Sequence, residues 1–131
     1  MLDTGALVSL LDRSQTRHVE CVSFFRGWSG AVVSTEAVLT EATHLLGRIP
    51  NGREACLRFF TEGGATLVPS SAASLRGCLA LIRRYGDLPL DFADATLVVL
   101  ADELGTDMVF TLDTDFDVVR RPDGTPLRRV P

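Results

Sequence analysis

Ala31-Val32-Val33-Ser34-Thr35, running into Glu36–Leu46 and stopped by Gly47, is the stretch that decides the fold class. Ala31-Val32-Val33 is a short apolar run after the break at Gly30, the pattern of a buried strand. Ser34 or Thr35 offers a side-chain oxygen to cap a helix, and Glu36–Leu46 carries the helical period until Gly47 ends it. A buried strand feeding directly into a helix is the opening of an α/β unit. The same alternation continues in both directions. Upstream, Met1–Asp3 reads as the end of a short strand, with Thr4-Gly5 as its turn. Ala6–Asp12 follows as a helix with Leu7, Leu10 and Leu11 on one face. Arg17–Trp28 reads as a second helix, burying Val19, Val22, Phe24 or Phe25, and Trp28. Downstream, Asn51–Thr61 is helical and closes at Gly63-Gly64, and Thr66-Leu67-Val68 is a strand ended by Pro69. Ser70 or Ser71 caps a helix to about Tyr85, and a further helix runs from about Asp91 to Leu104, with Gly105 at its end. Asp107–Leu112 reads as a strand, and Val118-Val119-Arg120 and Leu127–Val130 as late strands about the turn Pro122-Asp123-Gly124. Short apolar strands alternating with helices predict an α/β fold with a largely parallel sheet.

Composition bounds the rest. The 131 residues suit one domain spanning 1–131. With 46% hydrophobic and 23% charged residues, the chain is neither disordered nor collagen-like. No apolar run approaches the ~20 residues of a membrane span, and Met1–Gly5 has no basic n-region. The expectation is a soluble, cytoplasmic protein. Cys21, Cys56 and Cys78 are an odd, widely spaced set in apolar helical contexts, which predicts small core residues in a reducing compartment. All 13 basic residues are arginine, so lysine chemistry, including Schiff bases and Walker-type phosphate loops, is excluded.

The net charge of −4 is unevenly spread. Eight acids fall between Asp91 and Asp117 with no arginine among them, whereas Arg48–Arg84 and the tail after Asp117 are basic. Carboxylates gathered without a basic partner repel one another, and a bound cation relieves that. Parallel α/β folds collect ligands beyond the C-terminal ends of their strands. That rule selects Asp3, Glu41, Asp94 and Asp113, each at or within two turns of a predicted strand end or helix start. Taken singly, each has an ordinary reading: a terminal surface acid, a solvated helix residue, a helix cap or a turn residue. Brought together they make a hard, oxygen-rich site of the kind Mg²⁺ or Mn²⁺ prefers. Such ions can clamp a phosphodiester and ionise a water, so no histidine base is required. His18 is expected to be exposed. His44, three residues after Glu41 on the same face, either hydrogen-bonds near the acids or is a partly buried structural residue.

Four local strings carry a resemblance. They are Leu2-Asp3-Thr4-Gly5-Ala6-Leu7-Val8, Val33-Ser34-Thr35-Glu36-Ala37-Val38-Leu39-Thr40-Glu41, Leu90-Asp91-Phe92-Ala93-Asp94-Ala95 and Phe110-Thr111-Leu112-Asp113-Thr114-Asp115-Phe116. In this order they resemble the motifs of the PIN-domain ribonucleases, most closely the VapC-type toxins of bacterial toxin–antitoxin pairs, over essentially the whole chain. Only Met1 and Leu2 precede Asp3, which makes the first strand short for that family. The resemblance implies a three-layer α/β/α sandwich and a Mg²⁺- or Mn²⁺-dependent endoribonuclease. It implies Asp3, Glu41, Asp94 and Asp113 as the catalytic acids, with Asp3, Asp94, Asp113 and Asp115 toward the metal. Asp91 is a companion acid, and Thr4 and Thr111 support the site through their hydroxyls. It further implies an RNA substrate, a homodimer and a cognate antitoxin that occludes the site. RNA would be held by local clusters such as Arg48/Arg53 or Arg83/Arg84. The apolar residues Leu7, Leu10, Phe24, Phe25, Phe59 and Phe60 exceed what a small core needs, so some could serve a protein interface as well as the core.

Other classes compete for the same residues. Asp3-Thr4-Gly5 matches the aspartic-protease triplet, but that chemistry needs an all-β frame. A phosphoaspartate receiver needs a lysine, and a haloacid-dehalogenase-type phosphatase needs an acid at position 5, where Gly5 stands. Two alternatives remain. One is a catalytically silent PIN-like binding or dimerisation module, which loss of an acid would mark. The other is a structure-specific DNA nuclease using the same acids.

Overall fold

The computed structural model describes residues 1–131. Two pairs of short parallel strands form the frame. β1 (Val33–Thr35) pairs with β2 (Thr66–Val68), and β3 (Met108–Phe110) with β4 (Arg128–Val130). Residues 1–3 run between the two pairs and join them. Leu2 donates its N–H to the Val33 carbonyl at 2.8 Å, Asp3 donates to the Phe110 carbonyl at 3.0 Å, and Phe110 donates back to the Met1 carbonyl at 2.7 Å. The order across the frame is therefore β2, β1, the N-terminal segment, β3, β4, parallel as expected. The segment makes one β-bridge, Leu2 to Phe110, where a short strand was expected.

Six helices pack about this frame: α1 (Thr4–Leu11), α2 (His18–Gly27), α3 (Glu36–Leu46), α4 (Gly52–Thr61), α5 (Ala72–Arg84) and α6 (Phe92–Leu104). α1 contacts α2, α3 and α4, whereas α5 packs on α6, which in turn meets α3 and β1. The core draws on all of them, including Leu2, Leu7, Cys21, Val38, Leu46, Cys56, Leu81, Leu97, Val98, Val109 and Phe116. α6 is buried along most of its length, from Ala93 to Ala101, because neighbours cover it on several sides. Gly105 closes it in the left-handed region, at φ 63°, where a Cβ would be strained. The three cysteines are free and buried, as expected. No helix is long and apolar enough to cross a membrane.

Several local expectations shift. The strand expected at Ala31-Val32-Val33 lies two residues later, and its buried members are the polar Ser34 and Thr35. Their hydroxyls are satisfied internally, which makes burial tolerable. Ser34 donates to the Leu2 carbonyl at 2.7 Å, and the Thr35 and Thr96 hydroxyls meet at 2.8 Å. Thr35, rather than Ser34, caps α3. Thr4-Gly5, expected as a turn, are the first two residues of α1, because the Asp3 carboxylate accepts the Thr4 N–H and starts the helix two residues earlier than Ala6. The Asp107–Leu112 strand shortens to Met108–Phe110. Val118-Val119-Arg120 forms no strand; Arg120 makes a single antiparallel bridge to Pro126, and a 3₁₀ turn occupies Thr114–Asp117. On α2, Val19 is 78% exposed and Trp28 lies at the surface, while Cys21 takes the fully buried position. His44 is exposed rather than partly buried, and His18 is half-buried, with Nδ1 2.7 Å from the Ser9 carbonyl oxygen. Leu7 is buried, and Leu10, Phe24, Phe25, Phe59 and Phe60 pack against the core.

The Ser34–Leu2 bond is the only side-chain link tying the N-terminal segment to β1. Ser34→Ala leaves a buried carbonyl without its donor and is expected to cost about 1–3 kcal/mol, read as a lower urea midpoint with an unchanged slope.

Candidate active site

Asp3 emerges from the centre of the frame and caps α1. It is 5% exposed. Its Oδ1 accepts the Thr4 N–H at 2.6 Å and its Oδ2 accepts the Thr111 hydroxyl at 2.6 Å. The Thr111 oxygen also accepts the Asp113 N–H at 3.0 Å, so one hydroxyl positions the first acid and the loop bearing the fourth. Thr4, one residue into α1, turns its hydroxyl to Glu41 Oε2 at 2.9 Å. Asp91 caps α6 by accepting the Asp94 N–H at 2.9 Å, which sets Asp94 in the first turn of that helix. Asp113 in turn caps the 3₁₀ turn by accepting the Asp115 N–H at 2.8 Å.

These side chains share one open pocket of about 340 Å³. Asp3, Thr4, Glu41, Asp91, Asp94 and Asp113 line it with Gly5 and Leu112, and no basic residue does. Every acid named from the sequence is therefore brought together except Asp115, which lies outside the lining and contributes the backbone N–H that holds Asp113. Thr111 stands behind the pocket, fully buried. His44 makes no hydrogen bond there and lines no part of it.

The electrostatics follow from this crowding. Burial, followed by the charges of Asp91, Asp3 and Asp113, pushes Asp94 up to about 8. Asp3 is raised by burial, with its bonds to Thr111 and Thr4 opposing and the nearby Asp113 and Asp91 adding to it. Glu41 is raised by burial, against the Thr4 bond and with help from Asp91 and Asp3. The N-termini of α1 and α6 both face the pocket and offset part of the repulsion. The donor set is oxygen only, which fits a hard divalent cation. No three His, Cys, Asp or Glu side chains converge closely enough to clasp a bare ion, so a fitting ion would keep waters between itself and some of the acids.

A PIN-domain family model matches residues 1–122. The chain belongs to the PIN-domain family. This PIN domain is 29% identical over 126 residues to Ribonuclease VapC26 of Mycobacterium tuberculosis (strain ATCC 25618 / H37Rv), covering 95% of this chain and 93% of that protein. Its fold matches the crystal structure of Mycobacterium tuberculosis VapC20, a sarcin–ricin loop cleaving toxin, with a TM-score of 0.84 at 19% identity. That match covers 89% of this chain and 92% of VapC20. The three-layer α/β/α arrangement thus holds for this PIN domain.

The pocket sets a pH dependence. An acid whose pKa is higher in the fold than in the unfolded chain stabilises the fold at low pH and loses that contribution as pH rises through the folded value. For Asp94 the window runs from about 4 to about 8. In EDTA the wild type is expected to melt several degrees lower at pH 8 than at pH 5. Asp94→Asn should flatten that fall and melt higher than wild type at pH 8.

Proposed function

We propose that this chain is a Mg²⁺- or Mn²⁺-dependent endoribonuclease, the toxin of a toxin–antitoxin pair, acting as one domain over residues 1–131 in the cytoplasm. The observation that carries the reading is the pocket where Asp3, Glu41, Asp91, Asp94 and Asp113 meet without a basic residue. The chain's likeness to a VapC ribonuclease over nearly its whole length supports the choice of RNA. Asp3, Asp94 and Asp113 would hold the cation, with Glu41 completing the acids and Asp115 bracing Asp113. A divalent cation held there would supply positive charge to the phosphodiester and make a bound water more acidic.

The chain's own part is orientation. Thr111 and the Thr4 N–H leave each Asp3 oxygen with one lone pair directed away from its protein donor. Thr4 holds Glu41 at the pocket wall while Asp91 sets the turn that carries Asp94. The antitoxin partner would close the same pocket, and an arginine from it would meet the uncompensated acids. For the homodimer, α5 presents Leu75, Leu79 and Ile82 at i, i+4 and i+7, all exposed although apolar.

Purified protein is expected to cleave a structured RNA pool with Mg²⁺ or Mn²⁺ and not with EDTA. Asp3→Asn and Asp94→Asn should abolish cleavage while circular dichroism stays unchanged, and wild-type rates in both would refute the assignment. Thr111→Val should lower activity about 10- to 100-fold by freeing Asp3. Cleavage of DNA but not RNA would move the substrate class. Leu79→Asp should convert a sedimenting dimer to monomer; a wild type that is monomeric at high concentration removes the dimer from the reading.

A further inference from the structure

Next to the acid pocket lies a second one of about 370 Å³, lined by Glu36, Thr40, Glu41, Ser70 and Phe92 among others. Glu41 lines both, so the two adjoin at that side chain. Phe92 is the first residue of α6, immediately after Asp91, and is 44% exposed. Other aromatic side chains of the chain, such as Phe24, Phe25, Phe59 and Phe60, pack on the core and on one another.

The lining decides what could enter. No arginine is present and Glu36 and Glu41 are, so a phosphate is disfavoured. Thr40 donates its hydroxyl hydrogen to the Glu36 carbonyl at 2.9 Å, which leaves its oxygen as an acceptor. Ser70 is exposed at the rim. An exposed aromatic ring with acceptor oxygens around it suits a flat, uncharged, hydrogen-bonding ring, and every nucleobase offers a π-face.

We propose that Phe92 is the stacking platform for one unstacked base of the RNA, the base of a nucleotide adjoining the phosphodiester held at the acids. Phe92 is then a substrate-positioning residue that touches the base without taking part in bond cleavage. The proposal rests on the nuclease reading for its geometry, since the scissile phosphate must sit in the neighbouring pocket.

The test is fluorescence anisotropy of a labelled, short single-stranded RNA pool of mixed sequence, with Ca²⁺ replacing Mg²⁺ to slow hydrolysis and intact RNA verified on a gel. Phe92→Ala should weaken binding by about ten-fold. Phe92→Trp should bind at least as well as wild type. Phe92→Leu, which keeps apolar area but has no ring face, should bind as poorly as Phe92→Ala. All three variants should match wild type in melting temperature and sedimentation. Unchanged affinity in Phe92→Ala, rescue by Leu equal to that by Trp, or no RNA binding by wild type overturns the proposal. So does a change from dimer to monomer in Phe92→Ala, because the ring would then seal a protein interface. A parallel cleavage assay in Mg²⁺ and Mn²⁺ separates the two readings. Metal-dependent cleavage with an unchanged KM in Phe92→Ala removes the base site alone. Phe92-dependent binding without any cleavage removes the nuclease reading and leaves an RNA-binding site.

Discussion

Residues 1–3 hold the two strand pairs together through backbone hydrogen bonds to Val33 and Phe110. Two strand pairs of three residues each could not form a stable sheet separately, since isolated short pairs are marginal in water. Backbone bonds from Leu2 to Val33 and from Asp3 to Phe110 make them one frame, and the Ser34 hydroxyl closes the gap at the Leu2 carbonyl. The same few bonds place Asp3 at the end of the central position, where α1 begins. Structural continuity and the first acid of the site are thus one feature, and damage to either is felt by both.

Helix caps organise the acids. Asp3 caps α1, Asp91 caps α6 and Asp113 caps the 3₁₀ turn, each accepting a backbone N–H near its own position. Capping stabilises a local turn and also restricts the carboxylate to one side of it. Three such turns opening on one pocket bring together carboxylates that electrostatics would separate. Burial first, and the charges of Asp91, Asp3 and Asp113 second, push Asp94 up to about 8, and a bound cation would offset the repulsion. The threonines act between the acids: Thr111 joins Asp3 to the Asp113 loop, and Thr4 joins α1 to Glu41 on α3.

Legibility varied with the range of the interaction. Helices came through well because their signals are local: Ser71 begins α5, Asp91 begins α6 and Gly105 ends it, as the caps indicate. β2 was legible at its full extent, Thr66–Val68. Apolar character alone points to Ala31–Val33, two residues ahead of β1. Its buried residues are Ser34 and Thr35, whose burial is possible only because Leu2 and Thr96 stand opposite them. Val19 looked like a core residue by type and is a surface residue by position, with Cys21 taking the inward place on the same helix. Asp115 sits close to Asp113 in sequence, yet the turn between them directs its backbone, not its side chain, toward the site.

Residue type, period and caps were enough for the α/β class, for the helix ends other than the start of α1, for the absence of lysine chemistry and for naming Asp3, Glu41, Asp91, Asp94 and Asp113 as candidate acids. These depend on residue type, period and caps, which act over a few neighbouring positions. That Thr111 grips Asp3 across 108 positions, that no arginine enters the acid pocket, and that Phe92 lines a second pocket beside it are products of packing. Those are contacts between segments far apart in the chain. They exist only once packing has chosen which faces meet, and no local pattern records that choice.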